Sequence, residues 1–401
     1  MFYRQTLRPR YLANTTSKQK LCNYPVNMPT FTVFKGQENG FPKQTTTTKP
    51  DKLEGDSVLV KITASGVCGT GADMVLGHEG VGIVESVGPA VKTLKVGDRV
   101  GWGYEHDSCG HCMQCLTGNE TYCPERALYG IANFDQGSFA SHAIWRESYL
   151  FSTPDAISDE DAAPLQCGGA TTFTALAGVK PSDVVGIMGV GGLGHLAIQF
   201  AAKMGCRVVV LSSTDKKKDE ATRLGAHEFI ATKGATELKA TLPLNRLLVT
   251  TAAQPNWDLI LPIMAPKSVI YPLTVSFKNF EIPYMPLILN GIAVQGSLVA
   301  PRSLHRQMLE FAALHGIRPI VEKFPMTEEG IKTAMEKLDA GNVYYRAVLM
   351  AQAIANIPKA VKSASASSSS TLIKRSVYKS WIRKLLQSCS PKSEKKSTEK
   401  K

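Results

Sequence analysis

Four cysteines crowd into the stretch "SCGHCMQCLTGNETYC": Cys109, Cys112, Cys115 and Cys123, spaced C-x2-C-x2-C-x7-C. Thiolates this close together can surround one tetrahedral zinc at roughly 2.3 Å per sulfur. An iron–sulfur cluster also takes four cysteines, but its usual spacings differ. Disulfides are the remaining reading, weakened by an odd total of nine cysteines and by a chain read as having no convincing secretory signal. With all four positions filled by protein, such a zinc would staple a loop rather than react. A second stretch, "GVCGTGADMVLGHEG", carries Cys68 and His78 with Glu79 beside it, and raises the question of a second metal site. Taken singly, a cysteine is most often a small buried apolar residue and a histidine a structural one.

A third stretch, "GVGGLG", has Gly189, Gly191 and Gly194 in G-x-G-x-x-G. The pattern alone is weak. Here it follows "DVVGIM", which reads as a strand, and opens "HLAIQFAAK", which reads as a helix, the context that a dinucleotide site requires. Glycines allow a tight turn and close approach of a pyrophosphate, and the helix N-terminus offers unpaired N–H groups and a partial positive charge. A dinucleotide site for NAD usually ends its next strand with an acid that bonds the ribose 2′-hydroxyl. In "RVVVLSSTDKKK" that strand ends instead in Ser212 and Ser213, followed by Thr214, Lys216 and Lys217, with Asp215 only in the turn. Hydroxyls and ammonium groups suit a 2′-phosphate, so NADP(H) is expected over NAD(H).

These groups need elements to position them. From "FTVFKG" to about Phe151 the chain shows short β-type runs broken by Gly, Pro and Asp, an irregular β domain. After Pro164 strands alternate with helical patterns: "RVVVLSS", helical "KKKDEATRLGA", then "EFI", "RLLVTTA" and "SVIYPL". Alternation of this kind implies a doubly wound parallel sheet. From about Gly296 the chain leaves that sheet through helical "SLHRQMLEFAALHG" and closes on the strand "YYRAVLM". The expected class is α/β, with no internal repeat.

Of 401 residues, 43% are hydrophobic and 20% charged, as in a soluble globular protein, and no apolar run reaches the length of a membrane span. Residues 1–27 hold five Lys/Arg and no acid, and residues 352–401 twelve Lys/Arg against two acids, so the formal +12 leaves −3 for the middle. A nucleic-acid enzyme would carry its basic patch on the folded body, so no nucleic-acid partner is expected. The tail 352–401, with "SASASSSS" and "PKSEKKSTEKK", is too polar to bury a core; its "VYKSWIRKLL" is the one piece with a basic amphipathic pattern. The first 27 residues are acid-free and Arg/Lys-bearing, like a transit peptide. The expected location is cytoplasmic, with mitochondrial targeting as the alternative.

In order, "GVCGT", "GHEGVG", "VGDRVG", the four-cysteine loop, "PLQCGGATTF", "GVGGLGH", "SSTDKK" and "YYRAVL" resemble the zinc-dependent medium-chain alcohol dehydrogenases, most nearly their NADP-dependent cinnamyl-alcohol-dehydrogenase-like branch, including fungal members. The resemblance spans about Met28 to Met350. It implies a GroES-like catalytic domain over 28–160 and 300–351, a Rossmann domain over 161–299, and terminal extensions 1–27 and 352–401. It implies two zinc ions per chain: a structural one on the four cysteines, and a catalytic one on Cys68, His78 and Cys167, with Glu79 as an exchangeable ligand and Thr70 as the hydroxyl that passes the substrate proton. Cofactor contacts would come from Thr171, from the turn Gly189, Val190, Gly191, Gly192, Leu193 and Gly194, from Ser212, Ser213, Thr214, Lys216 and Lys217, and from Thr250, Ser297 and Arg346. His195 is read as a helix-start residue, and Cys22, Cys206 and Cys389 have no role. The implied activity is hydride transfer between NADP(H) and a primary alcohol or aldehyde, in a homodimer. A Cys2His set leaves the fourth zinc position for water or substrate, where zinc polarises the substrate oxygen and the cofactor carries the hydride. Trp102 and Tyr104 are expected to line the pocket, which points to aromatic or medium-chain substrates.

One part of the pattern is missing. The family reads C-G-T-D, often with a histidine soon after, and a longer stretch before G-H-E. Here Gly71 stands in place of the Asp, the histidine is absent, and the stretch from Cys68 to His78 is shortened. Loop closure depends only slowly on length, so the ligands can still meet. The losses are an Asp that would orient the zinc-binding histidine and a histidine that would complete a proton path, with Asp73 the one candidate to replace either. The alternative function is therefore a catalytically impaired relative that binds NADPH and zinc.

Overall fold

The computed structural model describes residues 30–351 apart from Asn39, Thr70 and Phe277. The readings for residues 1–27, for 352–401 and for Thr70 lie outside the described residues.

The first half of the chain is β structure. Strands β1 (Thr30–Gly36) and β2 (Pro42–Thr48) form an antiparallel hairpin. There follow β3 (Ser57–Gly66), β4 (Gly80–Val87), β5 (Arg99–Trp102) and the short β6 (Glu105–Asp107). The four-cysteine lobe, with helix α1 (Met113–Leu116), leads to β7 (Ala127–Leu128), β8 (His142–Arg146) and β9 (Phe151–Ser152). The long β3 alternates buried and less buried positions, with Val58, Val60, Ile62 and Ala64 inward, the period of a half-buried strand.

Helix α2 (Asp159–Pro164) starts where the Ser158 hydroxyl accepts the Asp161 N–H at 3.3 Å, with three acids in its first turn. A π-helical turn, Leu165–Gly169, joins it to α3 (Ala170–Leu176). The alternating region then gives β10 (Val184–Met188), α4 (Gly194–Lys203), β11 (Arg207–Ser212), α5 (Lys218–Leu224), β12 (Glu228–Ala231), β13 (Leu244–Val249), α6 (Trp257–Ile260), β14 (Met264–Pro272), α7 (Tyr284–Asn290) and β15 (Ala293–Val294). All pairings in this sheet are parallel, in the order β12-β11-β10-β13-β14-β15. Counted from β10 that is 3-2-1-4-5-6, the doubly wound dinucleotide-binding order. All five residues of β10 are buried, as expected of a strand covered on both faces.

The chain returns through α8 (Arg302–His315), β16 (Val321–Pro325), α9 (Glu328–Asp339) and β17 (Arg346–Met350). Strands β16 and β17 complete a seven-stranded sheet in the order β16-β17-β3-β4-β5-β9, with β8 also on β3. The GroES-like and Rossmann halves expected from the sequence are both present. One large core runs between them: Phe173 of α3 meets Phe200 of α4 and Phe311 of α8 at ring-centroid distances of 5.4 and 5.6 Å.

Candidate active site

Cys68, His78, Glu79 and Cys167 come together with their ligand atoms within 4.8 Å of one another. Three elements deliver them: the end of β3, the start of β4 and the π-helical turn. That turn follows from "PLQCGG". Pro164 cannot donate to the ladder that would continue α2. The Thr172 hydroxyl ties back to the carbonyls of Gly168 and Gly169 at 2.9 and 3.1 Å, and π-turns recur at functional sites. Beside Cys167, the buried Gln166 accepts a 2.9 Å hydrogen bond from the Nε2 of His305, which stacks on Phe151 at 3.8 Å.

The Cys68 thiol is held well below its ordinary value by the hydrogen bond from Cys167, with His78 and Arg346 adding to that against burial. The same bond and burial push Cys167 well above it. Burial lowers His78, but the Cys68 thiolate facing it outweighs this and its value rises. Burial raises the Glu79 carboxyl to about 7 despite the Arg346 guanidinium, which donates to Glu79 Oε1 from a position only 8% exposed. Two buried polar atoms of the cluster, His78 Nδ1 and Glu79 Oε2, have no hydrogen-bond partner among the described residues. Two thiols and an imidazole with an orphaned Nδ1 fit three positions of a tetrahedral zinc and leave the fourth open, with the Glu79 carboxylate beside it; binding it would draw both thiols into the thiolate form.

Residues 71–77, leading to His78, form a strap that turns at Ala72–Asp73 and lies along β1. Asp73 N–H donates to Gly36 O at 2.8 Å, Gly36 N–H to Met74 O at 3.0 Å and Leu76 N–H to Phe34 O at 2.9 Å. A Cβ at Gly36 would stand 2.2 Å from the Gly71 carbonyl oxygen, so this approach requires glycine. Within the strap Met74, Val75 and Leu76 are buried, while Asp73, at φ +60°, is exposed beside Lys35 and Lys43. Asp73 therefore replaces neither missing residue. The His78 ring is instead packed by Tyr104 and Tyr129, at centroid distances of 5.3 and 4.9 Å. Tyr104 stays near the cluster as expected, its phenol pushed up to about 12 by burial and the nearby thiols. Trp102 does not line the pocket: it is fully buried against Trp145 at 5.3 Å.

The cofactor candidates gather at the carboxyl ends of β10, β11 and β13. A groove of about 700 Å³ there is lined by Gly189, Val190, Gly191, Ser212, Ser213, Thr214, Lys216, Lys217 and Thr250. Ideal Cβ geometry would place a Gly194 side chain 1.9 Å from the Gly189 carbonyl, which is why the turn closes only with glycine. Helix α4 has no side-chain cap; its His195, Leu196 and Ala197 N–H groups are taken by the carbonyls of Gly191 and Leu193. Among the described residues no acidic side chain lines the groove, and Asp215 is not among its walls. Sequence reasoning missed Thr232, Gln254 and Asn256, which also line it; the rule that ligands bind at strand carboxyl ends would have found Thr232, one residue past β12. Of the remaining candidates, Gly192, Leu193 and Gly194 sit in the turn behind the groove, and Thr171, Ser297 and Arg346 do not line it. The Ser297 hydroxyl and Arg346 Nε are buried without hydrogen-bond partners among the described residues. His195 is more than a helix-start residue: its Nδ1 donates to Gly191 O at 3.0 Å and its Nε2 accepts from Ile320 N–H at 3.1 Å.

In the four-cysteine lobe, Sγ–Sγ separations are 3.9 Å for Cys109–Cys115, 3.6 Å for Cys112–Cys115 and 3.6 Å for Cys109–Cys123. A tetrahedron with bonds of ~2.3 Å has edges of ~3.8 Å, so the thiols stand where one zinc would hold them. None of the seven cysteines described is in a disulfide. The lobe is fastened to the body by Glu120, whose carboxylate accepts from Arg302 Nε at 2.9 Å, and by Tyr149 Oη to Ser108 Oγ at 2.6 Å.

Comparison with known proteins finds relatives of the same fold. Residues 54–155 match the family described as alcohol dehydrogenase GroES-like domain, and residues 192–314 the family described as zinc-binding dehydrogenase. An alcohol dehydrogenase of Geobacillus stearothermophilus is 34% identical over 327 residues, 77% of this chain and 96% of that protein. Cinnamyl alcohol dehydrogenase 7 of Arabidopsis thaliana is 33% identical over 314 residues, covering 73% of this chain and 87% of the relative. Among solved structures, a cinnamyl alcohol dehydrogenase of Sorghum bicolor superposes with a TM-score of 0.73 at 30% identity, over 80% of this chain and 98% of that one. The enzyme CAD of Helicobacter pylori, complexed with NADP(H), shares the fold at a TM-score of 0.69 and 24% identity, over 80% and 98% of the two chains.

Proposed function

Because the chain belongs to the zinc-type medium-chain alcohol dehydrogenases, in a cinnamyl-alcohol-dehydrogenase-like branch, we propose that it transfers hydride between NADP(H) and a primary alcohol or aldehyde at a zinc held by Cys68, His78 and Cys167. The observation that carries this reading is the buried Cys68–His78–Glu79–Cys167 cluster, linked to the glycine turn through Arg346. When bound, zinc polarises the substrate oxygen and the nicotinamide supplies or accepts the hydride. The chain's own part is placement. Arg346 holds Glu79 beside the metal ligands and lies against the turn, where a Cβ on Gly192 would meet Arg346 Cδ at 3.1 Å. Tyr104 and Tyr129 pack the His78 ring and keep water from that side. Ser212, Ser213, Thr214 and Lys216, in a groove without acids, favour the 2′-phosphate of NADP(H). Tyr104 beside the cluster favours an aromatic or medium-chain aldehyde.

Residues 28–160 with 300–351 would act as the catalytic domain and 161–299 as the cofactor domain. A second zinc would sit on Cys109, Cys112, Cys115 and Cys123. We assign a homodimer from the uncovered face of α7, where Tyr284, Met285, Ile288 and Leu289 are 58–81% exposed next to the edge strand β15. A solution mass of one chain would contradict that. Among the described residues no helix is long and apolar enough to cross a membrane, and seven free thiols suit a reducing cytoplasm. The test of the whole reading is binding: calorimetric titration with NADP+ should give one site per chain, and Gly191→Asp, which puts a carboxylate in the groove, should abolish it.

A further inference from the structure

The residue before Arg346 is strained. Tyr345 has φ +65°, an outlier for a bulky side chain that persists only where its surroundings over-determine it. Three groups of the cofactor half provide those surroundings. The Lys217 ammonium lies 4.6 Å from the Tyr345 ring centroid, the His195 ring packs on it at 4.6 Å, and the Tyr345 hydroxyl donates to Glu220 of α5 at 2.5 Å. Tyr344 donates to the other oxygen of Glu220, also at 2.5 Å. Lys217 is thus not free in the groove as its sequence position implies: its Nζ also donates to Val190 O, in the glycine turn, at 2.6 Å. An ammonium has three donors. One is spent on Val190, the ring fixes the direction of the stem, and two remain for an anion between the turn and Ser212–Thr214.

We infer that Tyr345 is a positioning residue for cofactor choice: it fixes the Lys217 ammonium at the wall of the groove, where the 2′-phosphate of NADP(H) would lie. The inference rests on the NADP(H) reading above. It also gives the fold a reason for placing Tyr345 next to Arg346. The same strand start that sets the lysine sets the arginine on Glu79, so the phosphate end of the cofactor and the metal cluster are held by adjacent residues of β17 and its approach.

The test is the ratio of dissociation constants for NAD+ and NADP+, measured by calorimetry on the zinc-replete protein. Tyr345→Leu removes the ring and should narrow the preference for NADP+ about threefold to fivefold, the range that a partly exposed cation–π contact implies, while NAD+ binding changes less than twofold. Tyr345→Phe keeps the ring and should keep the ratio within twofold of the parent. In a Lys217→Met background, Tyr345→Leu should leave the ratio unchanged, because the group it positions is gone. Should Tyr345→Leu prove unstable, Tyr345→Met removes the π face at similar volume. A purely structural Tyr345 would weaken both cofactors together and leave the ratio alone; that result overturns this inference and spares the NADP(H) reading. A parent protein that binds the two cofactors equally overturns both.

Discussion

Replacing Cys112 with Ser tests the four-cysteine lobe. The sulfur separations of 3.6–3.9 Å already match the edges of a zinc tetrahedron, and a serine hydroxyl is too short and too hard a donor to replace a thiolate there. The metal cross-links the chain from Cys109 to Cys123, a closed loop of fifteen residues. By the chain-entropy argument for cross-links, that closure contributes ~3 kcal/mol. At ~2–4 °C per kcal/mol for a body of this size, Cys112→Ser should lower Tm by about 6–12 °C and remove one zinc per chain. Loss of the lobe also frees Arg302 from Glu120, so α8 should gain hydrogen-exchange rate at its first turn. The assay is thermal unfolding under reducing conditions with zinc counted on the same sample. In protein stripped of zinc by a chelator, Cys112→Ser should shift Tm by less than 2 °C, about 0.5–1 kcal/mol. An unchanged zinc count would show that these thiols hold no metal. A lost zinc with an unchanged Tm would show that the metal staples nothing.

Three further outcomes follow from named contacts. Changing Lys216 and Lys217 together to Met should narrow the preference for NADPH over NADH at least tenfold in kcat/KM, since a hydrogen bond to a charged group contributes roughly 1.5–3 kcal/mol; an unaltered ratio contradicts the phosphate reading. Lengthening the strap with a segment that places Asp after Thr70 and a histidine just beyond should raise kcat by about 10²-fold, the low end for general acid–base help, with NADPH binding unchanged; no gain at matched zinc content would mean that the aromatic packing of His78 already suffices. Glu147 accepts from the backbone N–H groups of Lys92, Thr93 and Leu94 and from the Thr93 hydroxyl, and although burial works against it these bonds hold its carboxyl down at about 2. Its folded value is below the unfolded ~4.3, so its contribution is present above pH ~4.3 and fades as pH falls toward 2. The Tm gap between the parent and Glu147→Gln should therefore close below pH 4, and a gap constant from pH 6 to 3 would contradict the assignment.

What could be read from the sequence was what is local in it. The four cysteines sit within one short loop, and the glycine turn is bracketed by its own strand and helix, so spacing alone carried both. The alternation of strand and helix patterns carried the doubly wound parallel sheet, while the GroES-like and Rossmann halves came from the family resemblance. The partners that arrive from elsewhere were harder. Thr232, Gln254 and Asn256 become groove walls only because parallel strands bring their ends side by side. Trp102 was misplaced because β5 ends at that residue: the two-residue alternation that would put it on the side of Tyr104 stops there, and its ring turns into the core. Arg346 was read as a cofactor contact, and only the pairing of β17 with the end of β3 brings it to Glu79, which it holds. Lys217 carried the right charge at the right spacing, but the Val190 carbonyl and the Tyr345 ring that hold it come from 27 residues before and 128 after. The missing Asp and histidine were legible as absences; that two tyrosines pack the histidine in their place was not.

The central claim is hydride transfer at the Cys68–His78–Cys167 cluster, and aldehyde-dependent oxidation of NADPH tests it most directly. The zinc-replete chain, given a panel of aromatic and medium-chain aldehydes, should oxidise NADPH, and Cys167→Ser should abolish that oxidation while leaving the dissociation constant for NADPH within twofold. A chain that carries two zinc ions and binds NADPH, yet turns over no aldehyde and oxidises no alcohol with NADP+, would contradict the account.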